Sequence, residues 1–159
     1  MKIFFILILS VSVIITARII ILKYKARIKL GEGFLKFLSF AYSEISYSSI
    51  TVIEIVNKFV LLNADEPSFL KDCSEPVYND IEHKVNNNND LTSVQKELII
   101  SFFASFGTSG EAQQLKHIKN YKSLFSAEQE KLSEEYNEKS KLITKLSLLL
   151  AAMVFVILI

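Results

Sequence analysis

Glycine and proline are scarce in this chain: four and two among 159 residues. Tryptophan is absent, and Cys73 is the single cysteine. So few breakers in a chain of this length favour helices over a many-turned β fold. One cysteine cannot close an intramolecular disulfide, so no staple holds the chain, which fits a reducing compartment. An excess of either charge is also missing. Lys plus Arg number 18 and Asp plus Glu 17, which leaves no broad footprint for nucleic acid. No Gly-rich phosphate loop, Walker lysine or Gly-x-Ser-x-Gly elbow occurs. The two histidines, His83 and His117, have no second ligand at a repeating metal-site spacing and read as surface residues. Cys73, in Asp72-Cys73-Ser74, has no motif around it and reads as a half-buried structural thiol. Glu128, Glu130, Glu134, Glu135 and Glu138 alternate with Lys131 and Lys139, the pattern of a solvated helix face rather than an acid–base pair. The expected catalytic, cofactor-binding and metal-ligating residues are therefore none, and function by binding remains.

Hydrophobic residues, in contrast, make up 50% of the chain, and they concentrate at its ends. Residues 3–22 form an apolar run broken only by Ser10, Ser12, Thr16, Ala17 and Arg18. At about 1.5 Å per residue a helix of this length crosses a hydrocarbon core of roughly 30 Å. A cleaved leader is the competing reading, but Ile15-Thr16-Ala17 is a poor small-x-small cleavage site. Residues 146–159 form a second run, about 21 Å as a helix, so residues 142–159 read as a marginal tail anchor that spans or dips into one leaflet. Lys23, Lys25, Arg27 and Lys29 follow the first run, and Lys139, Lys141 and Lys145 lie at or before the second. A Lys/Arg excess stays on the cytoplasmic side, so the segment between the runs should be cytosolic. The two basic clusters either bind anionic lipid or only set topology. The expected organisation is an N-terminal transmembrane helix over 1–22, a cytosolic helical bundle over 23–141 and a C-terminal membrane helix over 142–159.

The middle of the chain carries helical periodicity throughout. Gly31-Glu32-Gly33 reads as a first break, followed by an apolar stripe from Phe34 to Ile45 and another from Val52 to Val60. Asp65-Glu66-Pro67 reads as a helix start, Pro76 as a kink or restart, and Asn86 to Asn89 as a loop. Thr92-Ser93-Val94-Gln95 is a capping box opening an apolar face that ends at Gly107, a natural left-handed stop. Thr108 or Ser109 should begin the last helix, with a break expected near Ser126-Ala127-Glu128-Gln129. The fold class is thus all-α, an antiparallel bundle of five to six helices flanked by membrane helices.

Several of these residues, in this order, resemble the stage III sporulation protein AB family of endospore-forming bacteria. They are Leu38 with Glu44-Ile45-Ser46-Tyr47, then Val52 and Glu54, then Phe106-Gly107 with Ser109, Gln114 and Ile118. A Glu/Lys-rich helix and an apolar tail follow. Gly110, where the family has Asp, and Thr51, where it has Pro, depart from the pattern. The family's tryptophan-bearing stretch before the second capping region is missing or shortened near the Asn tract. The resemblance implies a cytosolic bundle on the mother-cell membrane around the forespore. It also implies membership of a secretion-like channel complex and a fold similar to the platform domains of type II secretion. The implied partners are the other stage III sporulation A-operon proteins, including the AA ATPase, which would supply any ATP hydrolysis. Glu44, Tyr47 and Gln114 are expected either to face a partner or to join a buried polar network, and Gly107 to act as a structural stop. A membrane-tethered sensor or adaptor for a cytosolic ligand or signalling protein is the alternative.

Overall fold

The computed structural model describes residues 2–48, 50–63 and 67–158, apart from the side chains of 2–7, 9, 10, 13, 154, 155, 157 and 158. Among the described residues there are five α-helices, one 3-10 turn and no strand. The helices are α1 (Lys2–Tyr47), α2 (Val52–Leu62), α3 (Val77–Asn86), α4 (Ser93–Ser105) and α5 (Glu111–Leu158), with the 3-10 turn at Ser68–Leu70. The chain forms two compact units. A central unit spans Arg27–Lys131, and a terminal unit comprises the described residues of Met1–Ala26 and Leu132–Ile159. Helices α1 and α5 each run through both units, so the end segments are not separate flanking helices.

The central unit is built on phenylalanine. Phe34, at the centre, packs against Phe125 of α5 at 4.8 Å between ring centroids and edge-on to Phe102 of α4 at 5.8 Å. Phe37 meets Phe59 of α2 edge-on at 5.4 Å. These four helices thus share one apolar interior, with Phe69 of the 3-10 turn and Ile81 of α3 also fully buried. Rings of this size each contribute about 1.5–3 kcal/mol when withdrawn from water. Helix starts are fixed by side chains. Thr92 Oγ1 accepts from the Gln95 N–H at 3.0 Å and Gln95 Oε1 accepts from the Thr92 N–H at 2.9 Å, the capping box legible in the sequence. Thr51 and Glu54 form a second box at the start of α2.

Two expected breaks do not occur. Helix α1 continues through Gly31-Glu32-Gly33, because those glycines admit close neighbours rather than a turn. A Cβ at Gly31 would overlap Gln129 Oε1, and one at Gly33 would lie 2.9 Å from Pro67 Cγ. Helix α5 continues through Ser126, whose neighbours Phe125 and Gln129 are both buried on one side of it. It starts at Glu111 rather than at Thr108 or Ser109. Pro76 does restart the chain, as the residue before α3. Pro67 precedes the 3-10 turn, while Asp65 and Glu66 lie outside the described residues.

In the terminal unit α1 and α5 lie side by side and antiparallel. Lys139 Nζ sits 5.5 Å from the Tyr24 ring centre, and further along Ala17 and Thr16 share a shallow crevice with Leu146 and Ser147. The outer faces expose Ile15, Ile19 and Leu22 on α1, and Leu148, Leu149 and Met153 on α5. Among the described residues no helix is long and apolar enough to cross a membrane, so the expected membrane helices find no support there.

Candidate functional site

In the central unit three helix ends meet around an open groove of about 630 Å³. The start of α2 supplies Thr51, Val52 and Ile53, the start of α3 supplies Val77 and Tyr78, and the end of α4 supplies Phe103 and Phe106. The floor is apolar, and Glu75 is the charged residue in the lining. Close by, Glu54 accepts from the Thr51 N–H at 2.7 Å and from Thr51 Oγ1 at 2.9 Å. These two bonds hold its carboxyl below the ordinary value of 4.5.

Gly107 closes this end of α4. Its φ is +87°, and a Cβ there would stand 2.5 Å from Val52 Cγ2, so the left-handed stop and the close approach to α2 both require glycine. Glu44 is mostly covered, at 16% exposed, and pairs with Lys58 of α2 at 2.7 Å. Gln114 Nε2 donates to the Ser109 carbonyl at 2.6 Å, tying the first turn of α5 to the loop before it. Tyr47, at the end of α1, is 89% exposed. These three residues therefore do not bond to one another: Glu44 and Gln114 each tie down a local joint, and Tyr47 faces outward.

The buried polar network lies elsewhere. Gln95 is fully buried, and its Nε2 donates to Gln129 Oε1 at 3.3 Å. Gln129 Nε2 in turn donates to the Ile28 carbonyl of α1 at 2.6 Å. This chain joins α4, α5 and α1, and the open face of Gly31 makes room for it. The sequence gives Gln95 a capping role only. The one signal for Gln129 was its place among charged residues on a helix turn that also carries Phe125.

The basic residues divide between the units. In the terminal unit Lys23, Lys25, Lys141 and Lys145 are exposed, and Lys139 bonds to Glu135 at 2.9 Å as well as facing Tyr24. In the central unit Lys29 is exposed and Arg27 Nε donates to the Asp90 carbonyl at 3.1 Å. Cys73 is half-buried, and burial pushes its thiol up to about 11, against the opposing pull of Lys84. His117 is partly buried: it stacks on Phe102 and faces Ser105 Oγ at 3.1 Å. Among the described residues no group of three or more His, Cys, Asp or Glu side chains is placed to hold a metal ion.

These features define an all-helical bundle protein whose described concavities are open surface grooves. The family model for stage III sporulation protein AB matches residues 2–159, nearly the whole chain. The chain belongs to that family, and with it to the third stage of sporulation. No curated protein and no solved structure matches it.

Proposed function

We propose that this protein is a non-enzymatic, membrane-anchored structural component of the secretion-like complex that connects mother cell and forespore. The observation that carries the reading is the family match, which runs from one apolar end of the chain to the other. In this reading the two ends seat the bundle on the mother-cell membrane around the forespore, with the central unit in the cytosol. The run over residues 3–22 supports the anchor. It includes residues 3–7, 9, 10 and 13, whose side chains lie outside those described. The exposed apolar faces of α1 and α5 in the terminal unit support it too, since isoleucine and leucine side chains there stay 40–69% exposed. Lys23, Lys25, Lys139, Lys141 and Lys145 border those faces, where their stems lie along lipid and their ammonium groups meet anionic headgroups. The C-terminal run is short, and pairing with α1 offsets that shortness.

The partners in this reading are the other stage III sporulation A-operon proteins, including the AA ATPase, with nucleotide hydrolysis assigned to that enzyme. Tyr47 is the last residue of α1, three residues after Glu44, which pairs with Lys58 of α2. A large exposed aromatic on a braced helix end is the kind of residue that anchors a protein contact. The test is capture of the tagged full chain from detergent-solubilised membranes of sporulating cells. The reading predicts that other A-operon proteins co-purify and that Tyr47→Ala reduces their yield. A wild-type chain found in the soluble fraction, or in membranes with none of them attached, contradicts it.

A further inference from the structure

Two surfaces of the central unit carry charged side chains of opposite sign that have no ion partner among the described residues: Glu75 on one, Lys116 and Lys122 on the other. The first is the groove between the ends of α2, α3 and α4. No lysine or arginine lines it, and Glu75 on its rim has no ion partner among the described residues. Both helix starts that open onto it carry their own carboxylate, Glu54 for α2 and Asp80 for α3. Glu82 bonds to Tyr78 beside them. The nearby cation is Lys84, which is committed to Asp80 at 2.8 Å and to the Lys71 and Asp72 carbonyls. The groove therefore joins apolar side chains to one carboxylate in its lining, Glu75, with no cation in the lining to offset it.

The second surface is on α5. Between Glu111 and Glu128 that helix has three lysines, Lys116, Lys119 and Lys122, and no carboxylate. All three are exposed, and none of them lines the groove. Lys119 Nζ lies 5.3 Å from the Tyr42 ring centre, while Lys116 and Lys122 have no partner among the described residues. Steps of three residues keep them along one side of the helix, over about 9 Å of its length.

We propose that the central unit associates head to tail with a second copy of the chain, the α5 lysine strip of one copy seated on the acidic groove of the next. The lysine stems cover the partly exposed Val52, Ile53 and Val77 while their ammonium groups reach Glu75. A second copy is the occupant because both halves of the contact are present on one unit and share no residue, and Glu75, Lys116 and Lys122 have no ion partner among the described residues. Such a heterologous contact leaves a free strip at one end and a free groove at the other, so it continues beyond a dimer or closes into a ring. Both surfaces lie in the central unit, so the inference does not depend on how the chain ends are anchored or on which sporulation proteins it meets.

The test uses the full chain in detergent micelles, as an equal mixture of isotope-labelled and unlabelled protein. A zero-length carbodiimide reagent joins Glu75 to any lysine amine in contact with it, and mass spectrometry reads the linked peptides. The wild type should give a ladder of dimers and higher multiples, with mixed-isotope links between the Glu75 peptide and the α5 lysines. Glu75→Lys puts a cation in the groove facing the lysine strip, and Lys116→Glu with Lys119→Glu and Lys122→Glu puts carboxylates on the strip facing Glu75. Each variant alone should lose the ladder, with self-association weakened roughly tenfold or more, and mixing the two should restore it. Circular dichroism checks that both remain helical, and Lys116→Glu alone serves if the triple variant does not fold. A wild type that stays monomeric overturns the proposal, even if the same lysines bind vesicles of anionic lipid. So do folded variants that assemble as the wild type does, or a mixture that fails to restore the ladder.

Discussion

Gly107 and Gly110 stand three residues apart and should respond oppositely to the same change. At Gly107 a methyl group meets Val52 and the backbone sits at φ +87°, so Gly107→Ala should destabilise by about 1–3 kcal/mol. At Gly110 no atom lies within 4 Å of an added Cβ, so Gly110→Ala should stay within about 0.5 kcal/mol of wild type. Paired thermal melts of the two variants check both. Cys73 gives a second residue-level test. With its thiol near 11 it is almost wholly protonated at pH 8, so a thiol-specific reagent should label it slowly in the folded chain and fast in denaturant. Equal rates in the two states would show that the thiol is not shielded. Gly107 was legible in the sequence because it follows an apolar helical face directly. Gly31 was not, because the atoms that require it belong to Gln95 and Gln129, which are remote in the chain and meet only in the fold.

The two capping boxes separate by chemistry. Thr92→Ala should cost about 1 kcal/mol through loss of the cap on α4, at any moderate pH, since Gln95 does not titrate. The Thr51 box depends on the Glu54 carboxylate, whose pKa is lowered in the folded state first by the Thr51 N–H and then by the Thr51 hydroxyl. A lowered folded pKa means that this contribution is fully present above the ordinary value of 4.5 and is lost as pH falls through the lower, folded value. Asp80, held below its ordinary 3.8 mainly by its bond to Lys84, acts in the same direction. Glu54→Gln should therefore flatten the acid limb of stability against pH, and Thr92→Ala should shift the curve without changing its shape. Denaturation midpoints measured between pH 3 and 7 distinguish them. Existence and type of α1, α2, α4 and α5 were readable from periodicity, and so were the α4 cap and the restart at Pro76, whereas the helix expected to start at Pro67 is a short 3-10 turn until α3 begins at Val77. Helix lengths were not. Gly in a helix costs only about 1 kcal/mol against Ala, and packing around Gly31 and Gly33 overrides that local preference. The Thr51 box followed the same four-residue rule as the Thr92 box and could have been read from Thr51 and Glu54.

At the scale of the molecule the phenylalanine interior holds the central unit together. Phe34 touches Phe37, Phe69, Phe102, Phe103 and Phe125, so Phe34→Ala should cost about 3–5 kcal/mol and unfold the unit near physiological temperature. Loss of helical signal on mild heating of that variant is the check. The family was legible because its marks lie at fixed places on the bundle: Val52, Phe106 and Gly107 cluster at the groove, and Glu44 braces the end of α1. The groove itself was not, since it is made by three helix ends that no local pattern brings together.

The structural part proposed for this protein in the third stage of sporulation is tested most directly by a gene deletion. An in-frame deletion in the spore-forming host should abolish heat-resistant spores and leave engulfed forespores shrunken or stalled, with the full-length gene restoring both. Normal counts of heat-resistant spores from the deletion strain would contradict the proposed function and leave only the helical bundle.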